Sequence, residues 1–155
     1  MATLNVTITE SITLNGKDQG GTYSGFSNAN ITQVQKRLIN CTATELTLYG
    51  AGNAQASAAG GTLFDDDSVK YVRITNLAGT SSFVYITIKN SANDEAVFKL
   101  YGTESFILHR HAGSFEALDA AGATQSDVAD IDLVTVLADT STQALELFIA
   151  STDAA

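Results

Sequence analysis

The chain has 155 residues, a formal net charge of −9 and one cysteine, Cys41. The acidity argues against a nucleic-acid-binding surface, which needs clustered Lys and Arg. The lone cysteine excludes an intramolecular disulfide framework. A chain of this length is typical of one domain with a core of its own.

The distribution of apolar residues also bears on the compartment. No apolar run approaches the roughly 20 residues of a membrane-spanning helix, so we expect no membrane partner. The first residues show no basic region followed by an apolar core, so no secretory leader is expected. We therefore expect synthesis in a cytosol, with the chain kept there until assembly.

Apolar residues occupy even positions from Leu4 to Leu14, with one interruption. This period of two predicts either two short strands or one kinked strand. Such a strand can pair within its own domain or reach into a neighbour. Residues 1–14 are therefore a candidate N-terminal arm, with Leu4, Val6 and Ile8 as its candidate partner contacts.

The next segments are less clearly patterned. Residues 17–30 are rich in Gly, Ser and Asn and predict a loop or a loosely paired strand. Residues 31–40 fit one face of a helix and also alternate as a strand. A turn and the strand-like residues 45–49 follow directly, which favours a hairpin. Residues 50–61 are small and low in complexity, which is typical of an exposed loop that orders against a partner.

Residues 69–109 are predicted to be a four-stranded meander, with each strand ended by a turn signal. The short connections favour antiparallel neighbours, and residues 77–82 are predicted to be a hairpin loop. The second strand, residues 83–90, is apolar on both faces, which is typical of a central strand. The predicted strands are residues 69–76, 83–90, 96–101 and 105–109.

The last two strands complete the fold prediction. In residues 129–138 the apolar parity switches at Leu133, which predicts either a β-bulge or a strand buried on both faces. Residues 145–149 alternate regularly. The turn spacing predicts an all-β fold, an antiparallel β-sandwich of jelly-roll or immunoglobulin-like type with about nine or ten strands in one domain over residues 1–155. The chain contains no Pro, so its edge strands need other protection, such as pairing with another chain.

Two clusters of residues are candidate metal sites. His109 and His111 point the same way on a strand, but zinc needs two further ligands that the sequence does not identify. Residues 65–67 are three consecutive Asp, which lack the spacing of a calcium loop and are typical of a solvated turn. No catalytic or phosphate-binding motif is present. We therefore predict no catalytic residues, no cofactor, no bound metal and no enzymatic activity.

Aromatic residues are concentrated in the predicted meander. Core packing explains most of them, and a surface stripe that stacks against sugars is the alternative. This alternative predicts a carbohydrate-binding β-sandwich module. The residues are Tyr71, Phe83, Tyr85, Phe98, Tyr101 and Phe106.

Three stretches carry a resemblance to a known group of proteins. They are ITESITLNG near the start, VKYVRITNLAGTSSFVYITI in the middle, and YGTESFILH. Together they resemble small structural proteins of tailed phages, especially marine and cyanobacterial ones. The resemblance implies a β-sandwich virion component, most simply a capsid cement or decoration protein that stabilises the head, with a neck or tail protein as the alternative.

The resemblance also implies the partners and the location. The expected partners are the major capsid protein or other virion proteins, together with further copies of the chain in a homo-oligomer, taken as a trimer. No nucleic-acid partner is expected. The expected location is the virion.

Overall fold

The computed structural model describes residues 2–51, 62–64, 68–90, 95–109, 117–118, 128–129 and 131–152. All the regular secondary structure assigned to these residues is β-strand. The described part therefore contains no helix long and apolar enough to cross a membrane. The strands are β1 (Ala2–Glu10), β2 (Thr13–Leu14), β3 (Lys17–Asp18), β4 (Gly21–Ile31), β5 (Gln33–Cys41), β6 (Leu46–Ala51), β7 (Thr62–Phe64), β8 (Val69–Asn76), β9 (Phe83–Asn90), β10 (Glu95–Tyr101), β11 (Ser105–His109), β12 (Ala117–Leu118), β13 (Val128–Ala129), β14 (Ile131–Ala138) and β15 (Gln143–Ser151).

Two sheets form the body of the protein. One has the order β10-β9-β14-β6-β7 and the other the order β11-β8-β15-β5. All pairings within them are antiparallel except β6 with β7. The predicted all-β, antiparallel sandwich is confirmed. Its two sheets hold nine of the described strands, and with the strands outside them the total exceeds the predicted nine or ten.

The core lies between the two sheets because each strand turns alternate side chains inward. On β9 the inward residues are Val84, Ile86 and Ile88, all fully buried, and on β15 they are Leu145, Leu147 and Ile149. The prediction of a central strand at β9 is confirmed, since β10 and β14 flank it. The other fully buried core residues include Cys41, Leu48, Tyr49, Val69 and Val136.

The pairing within the predicted meander is largely different from our expectation. Only β9 and β10 form the expected antiparallel pair. β8 pairs with β11 and β15, whereas β9 lies in the other sheet, so residues 77–82 cross between sheets. The predicted hairpin there is wrong. A loop that crosses between two packed sheets can be as short as a hairpin loop, so loop length does not distinguish the two.

Buried polar groups at one end of the sandwich hold this crossing in place. The Asn76 side chain donates from Nδ2 to the Leu100 carbonyl (3.2 Å) and to Gln143 Oε1 (3.0 Å). Gln143 in turn donates to the Phe83 carbonyl (2.7 Å). A Cβ on Gly102 would lie 2.0 Å from the Gly79 carbonyl oxygen, so the close approach of the two loops needs glycine there.

Two further predictions about the first third of the chain need correction. Residues 17–30, expected as a loop or loosely paired strand, contain the eleven-residue strand β4. Residues 31–40 do form a strand, β5, and not a helix. Its predicted hairpin with residues 45–49 is wrong, because β5 pairs with β15 while β6 lies in the opposite sheet.

Both predicted explanations of the parity switch in β14 are correct. The pairing of β14 with β9 shifts register between Ile131 and Leu133, which marks a bulge. The strand is also buried on both faces along most of its length.

Candidate interaction surface

A separate two-stranded ribbon, β1 paired with β4, stands outside the two sheets. It continues into the short hairpin β2–β3, which is closed by Asn15 and Gly16 at φ 53° and 73°. Positive φ at both central residues is the mark of a type I′ turn, which suits the twist of a hairpin and favours Asn-Gly. The N-terminal strand therefore pairs within its own chain.

The ribbon is bent by two irregularities in its register. Pairing shifts between Ala2 and Leu4 and again between Val6 and Ile8. Opposite the first shift, Asn30 has φ 64°. Opposite the second, a Cβ on Gly25 would lie 2.5 Å from the Val6 carbonyl oxygen. Extra residues of this kind bend and twist an antiparallel pair, so the two halves of the ribbon have different surroundings.

The inner half of the ribbon covers the outer face of the four-stranded sheet. Leu4, Val6 and Phe26 pack against a small buried cluster that includes Tyr71 on β8. The Phe26 and Tyr71 rings are 5.7 Å apart, and Phe148 meets Tyr71 edge-on at 5.9 Å. Burial raises the pKa of the Tyr71 hydroxyl.

The outer half of the ribbon leaves apolar side chains in solvent. Ile8 and Tyr23 are cross-strand partners and are 44% and 67% exposed. Beyond them, Ile12 and Leu14 are 55% and 58% exposed. Single exposed apolar residues are ordinary on a protein surface, whereas several along one ribbon make it a candidate interaction surface.

A groove of about 420 Å³ runs between β1 and the four-stranded sheet. The outer face of this sheet carries ion pairs centred on Glu146. Glu146 accepts hydrogen bonds from Lys36 Nζ (3.1 Å) and from Arg73. The pKa of Glu146 is lowered, first by the hydrogen bond from Lys36 and then by the charges of Lys36 and Arg73. The groove is open and mixed in polarity, and Arg73 and Lys36 line it beside Ile107 and Phe148.

The structure separates the three predicted partner contacts. Leu4 and Val6 pack within the chain, and Ile8 lies at the exposed half of the ribbon. Contact of these residues with a partner stays a prediction. The flexible loop predicted over residues 50–61 lies outside the described residues, except for Gly50 and Ala51 at the end of β6.

The candidate metal residues are only partly described. His109 ends β11, and its ring packs on Phe26. Arg110, His111 and the acidic run at 65–67 lie outside the described residues. Within the described part, no group of three or more His, Cys, Asp or Glu could hold a metal ion. Cys41 is buried, and this burial raises the pKa of its thiol.

The six aromatic residues divide between core and surface. Phe98 and Phe106 pack together at the core, with ring centroids 5.0 Å apart. Phe83, Tyr85 and Tyr101 lie on the outer face of the five-stranded sheet. There Lys99 places its ammonium 3.5 Å from the Phe83 centroid and 4.9 Å from that of Tyr101.

Sequence reasoning missed two features of these surfaces. The hairpin at the ribbon tip had a signal in the sequence, because Asn15-Gly16 is a typical two-residue hairpin turn. The contact of Lys99 with Tyr101 had a local signal, because alternate residues of a strand share a face. Its contact with Phe83 depends on the exact register of β9 and β10.

No protein-family model matches this sequence, and no curated protein matches it significantly. One solved structure that resembles it is of Bacillus endospore appendages, which form a family of disulfide-linked pili. The TM-score is 0.41 and the identity 17%, over 79% of this chain and 88% of that chain. A similarity of this size indicates nothing about function, so function has to be argued from the surfaces themselves.

Proposed function

We propose that the chain is a structural protein of a tailed-phage particle, most simply a capsid cement or decoration protein. It stabilises the head through contacts with the capsid and with further copies of itself, as a trimer in our prediction. A neck or tail position in the same particle is the alternative. The proposal joins the sequence resemblance to one structural observation, the ribbon whose outer half exposes Ile8, Ile12, Leu14 and Tyr23.

The ribbon suits a protein that assembles by many weak contacts. Its inner half is fixed by Leu4, Val6 and Phe26, and its outer half leaves apolar side chains exposed. A partner can cover the four exposed side chains without any rearrangement of the sandwich. Full burial of an exposed apolar side chain contributes about 1.5–3 kcal/mol, and symmetry repeats the contact around an assembly, so a small surface on each copy acts many times.

The decisive experiment is immunogold labelling of the phage particles made by the genome that encodes this chain. Labelling of the head supports a cement protein, and labelling of the neck or tail supports the alternative. Particles that carry no label, with the chain recovered only in the lysate, would contradict the proposal.

A second experiment tests the ribbon as the contact. Deletion of residues 1–14 is expected to abolish particle binding, but it also exposes the cluster around Tyr71. The double substitution Ile12→Ser and Leu14→Ser removes only exposed side chains, so we expect particle binding to fall at least tenfold with unchanged thermal stability. Leu77→Ser, at another exposed Leu, is the matched control. Equal binding by all three proteins would exclude the ribbon.

The carbohydrate-binding alternative has one observation in its favour, the surface aromatics Phe83, Tyr85 and Tyr101. Lys99 already lies over the Phe83 ring, so a sugar would have to displace it. A glycan array decides this point. Saturable binding that Tyr85→Ala abolishes would favour a carbohydrate-binding module over a virion protein.

A further inference from the structure

We infer that β10 is a second interface, through which two copies of this chain join their five-stranded sheets about a two-fold axis centred on Val97. The β10 edge is a surface distinct from the ribbon. The partner at this edge is an antiparallel copy of the same strand.

The outer edge of β10 can accept a further strand. In the part of the chain that the structure describes, β10 has a hydrogen-bonded neighbour on one side only, β9. The β9–β10 register runs without a shift from Glu95 to Tyr101. An edge without a bulge or a Pro is a template for another strand. The outward side chain at its middle, Val97, is apolar and 56% exposed.

The open part of this edge is centred on Val97. The Tyr101 N–H donates to the Glu104 carboxylate (3.0 Å), and the Glu104 N–H donates to the Tyr101 carbonyl (3.2 Å). These bonds show that the backbone groups of Tyr101 point away from β9 and are already used. In an extended strand the groups of every second residue point the same way, so Val97 and Lys99 direct theirs outward. The backbone groups of Glu95 also point outward. The open stretch therefore runs from Glu95 to Lys99, with Val97 at its midpoint.

The charges on β10 are complementary in one register of self-pairing. Antiparallel pairing centred on Val97 places Glu95 of each copy opposite Lys99 of the other, and Val97 opposite Val97. Opposite charges directly across a ladder are favourable and like charges unfavourable. Registers centred on Glu95 or on Lys99 would oppose two like charges. The charge that would normally protect an edge strand, Lys99, thus selects one register of self-pairing.

The geometry keeps the ion pair between Lys89 and Glu95 in each copy, whereas Lys99 leaves the Phe83 ring to reach the partner's Glu95. A two-fold axis normal to the sheet keeps the outer faces of both copies on the same side. Lys89 binds Glu95 from its own sheet at 2.8 Å, and the Glu95 side chain remains 45% exposed for the partner's Lys99. Such an interface closes after two copies, so a larger oligomer, such as the predicted trimer, would need another contact such as the ribbon.

Charge reversal tests the register directly. In Glu95→Lys alone, Lys faces Lys across the axis, and in Lys99→Glu alone, Glu faces Glu. We expect each variant to dimerise at least tenfold more weakly than the unchanged chain in sedimentation velocity. Mixing the two variants restores opposite charges at both positions. Native mass spectrometry should then show a heterodimer, with either homodimer scarce.

Matched reversals on the ribbon, Glu10→Lys and Lys17→Glu, change the net charge equally and should leave dimerisation through β10 intact. A second variant, Val97→Lys, opposes two like charges on the axis and should also abolish the dimer, whereas Val34→Lys at the similarly exposed Val34 on β5 should not. An unchanged chain that stays monomeric at high micromolar concentration, or a mixture of Glu95→Lys with Lys99→Glu that forms no heterodimer, overturns the inference. Neither result depends on whether the ribbon binds a particle.

Discussion

The two sheets have similar inner faces and very different outer faces. On the four-stranded sheet, the outward residues Tyr71 and Ala150 are buried because the chain's own ribbon lies over them. On the five-stranded sheet, the outward rings of Phe83, Tyr85 and Tyr101 remain at the surface, with Lys99 over two of them. An apolar outer face can thus be covered by another segment of the chain, or it can stay at the surface in contact with a cation. Only the covered face forms a second buried cluster.

The largest expected effect comes from Tyr71→Ala, which removes the ring on which Phe26 and Phe148 pack. We expect a loss of about 3–5 kcal/mol in the free energy of unfolding, as for other buried aromatics. The counterpart on the open face is Tyr85→Ala, for which about 1 kcal/mol or less is expected. Urea unfolding of both variants measures the difference. Equal losses would mean that the two outer faces are energetically alike.

The next effect concerns the polar cluster that both sheets share. Asn76→Ala removes the donor to Leu100 and Gln143 and leaves these buried acceptors without it, at a cost of about 2–3 kcal/mol. Because Asn76 connects the two sheets, hydrogen exchange should accelerate in both β8 and β10. Acceleration confined to β8 would show that the cluster belongs to one sheet only. Thr75→Ala, a surface change on the same strand, serves as the control.

The smallest effect is a dependence of stability on pH. The pKa of Glu146 on the covered side is lowered, mainly by Lys36, and that of Glu45 on the open side mainly by the Thr135 hydroxyl and also by Lys89. A carboxyl whose folded pKa is depressed stabilises the fold above its unfolded pKa of about 4.3 and loses that contribution as the pH falls through the folded pKa.

Thermal unfolding between about pH 6 and pH 3 should therefore show a falling melting temperature. Glu146→Gln and Glu45→Gln should each flatten that fall. If only Glu45→Gln flattens it, the ion pairs at the covered face contribute nothing to stability, as is common for exposed pairs.

Sequence reasoning could identify strands, because alternation at Val84, Ile86 and Ile88 is a local property. It could not identify their neighbours. Whether residues 77–82 turn back or cross to the other sheet depends on the buried Asn76 side chain and on the space that Gly102 leaves, and both are tertiary facts. Sequence patterning did single out the N-terminal strand, but the division of its apolar residues between an anchored and an exposed half follows from the bulge near Gly25.

The single thiol has a practical consequence. Cys41 is buried and its pKa is raised by that burial, so we expect it to react slowly with alkylating dyes. A cysteine introduced at an exposed residue beside each contact, Ser11 near the ribbon tip or Ser81 near the end of β10, would therefore take up label alone, and the native Cys41 could stay. Fluorophores at these two positions would report separately on the ribbon and on the β10 edge, so energy transfer between molecules could follow each contact in time during assembly.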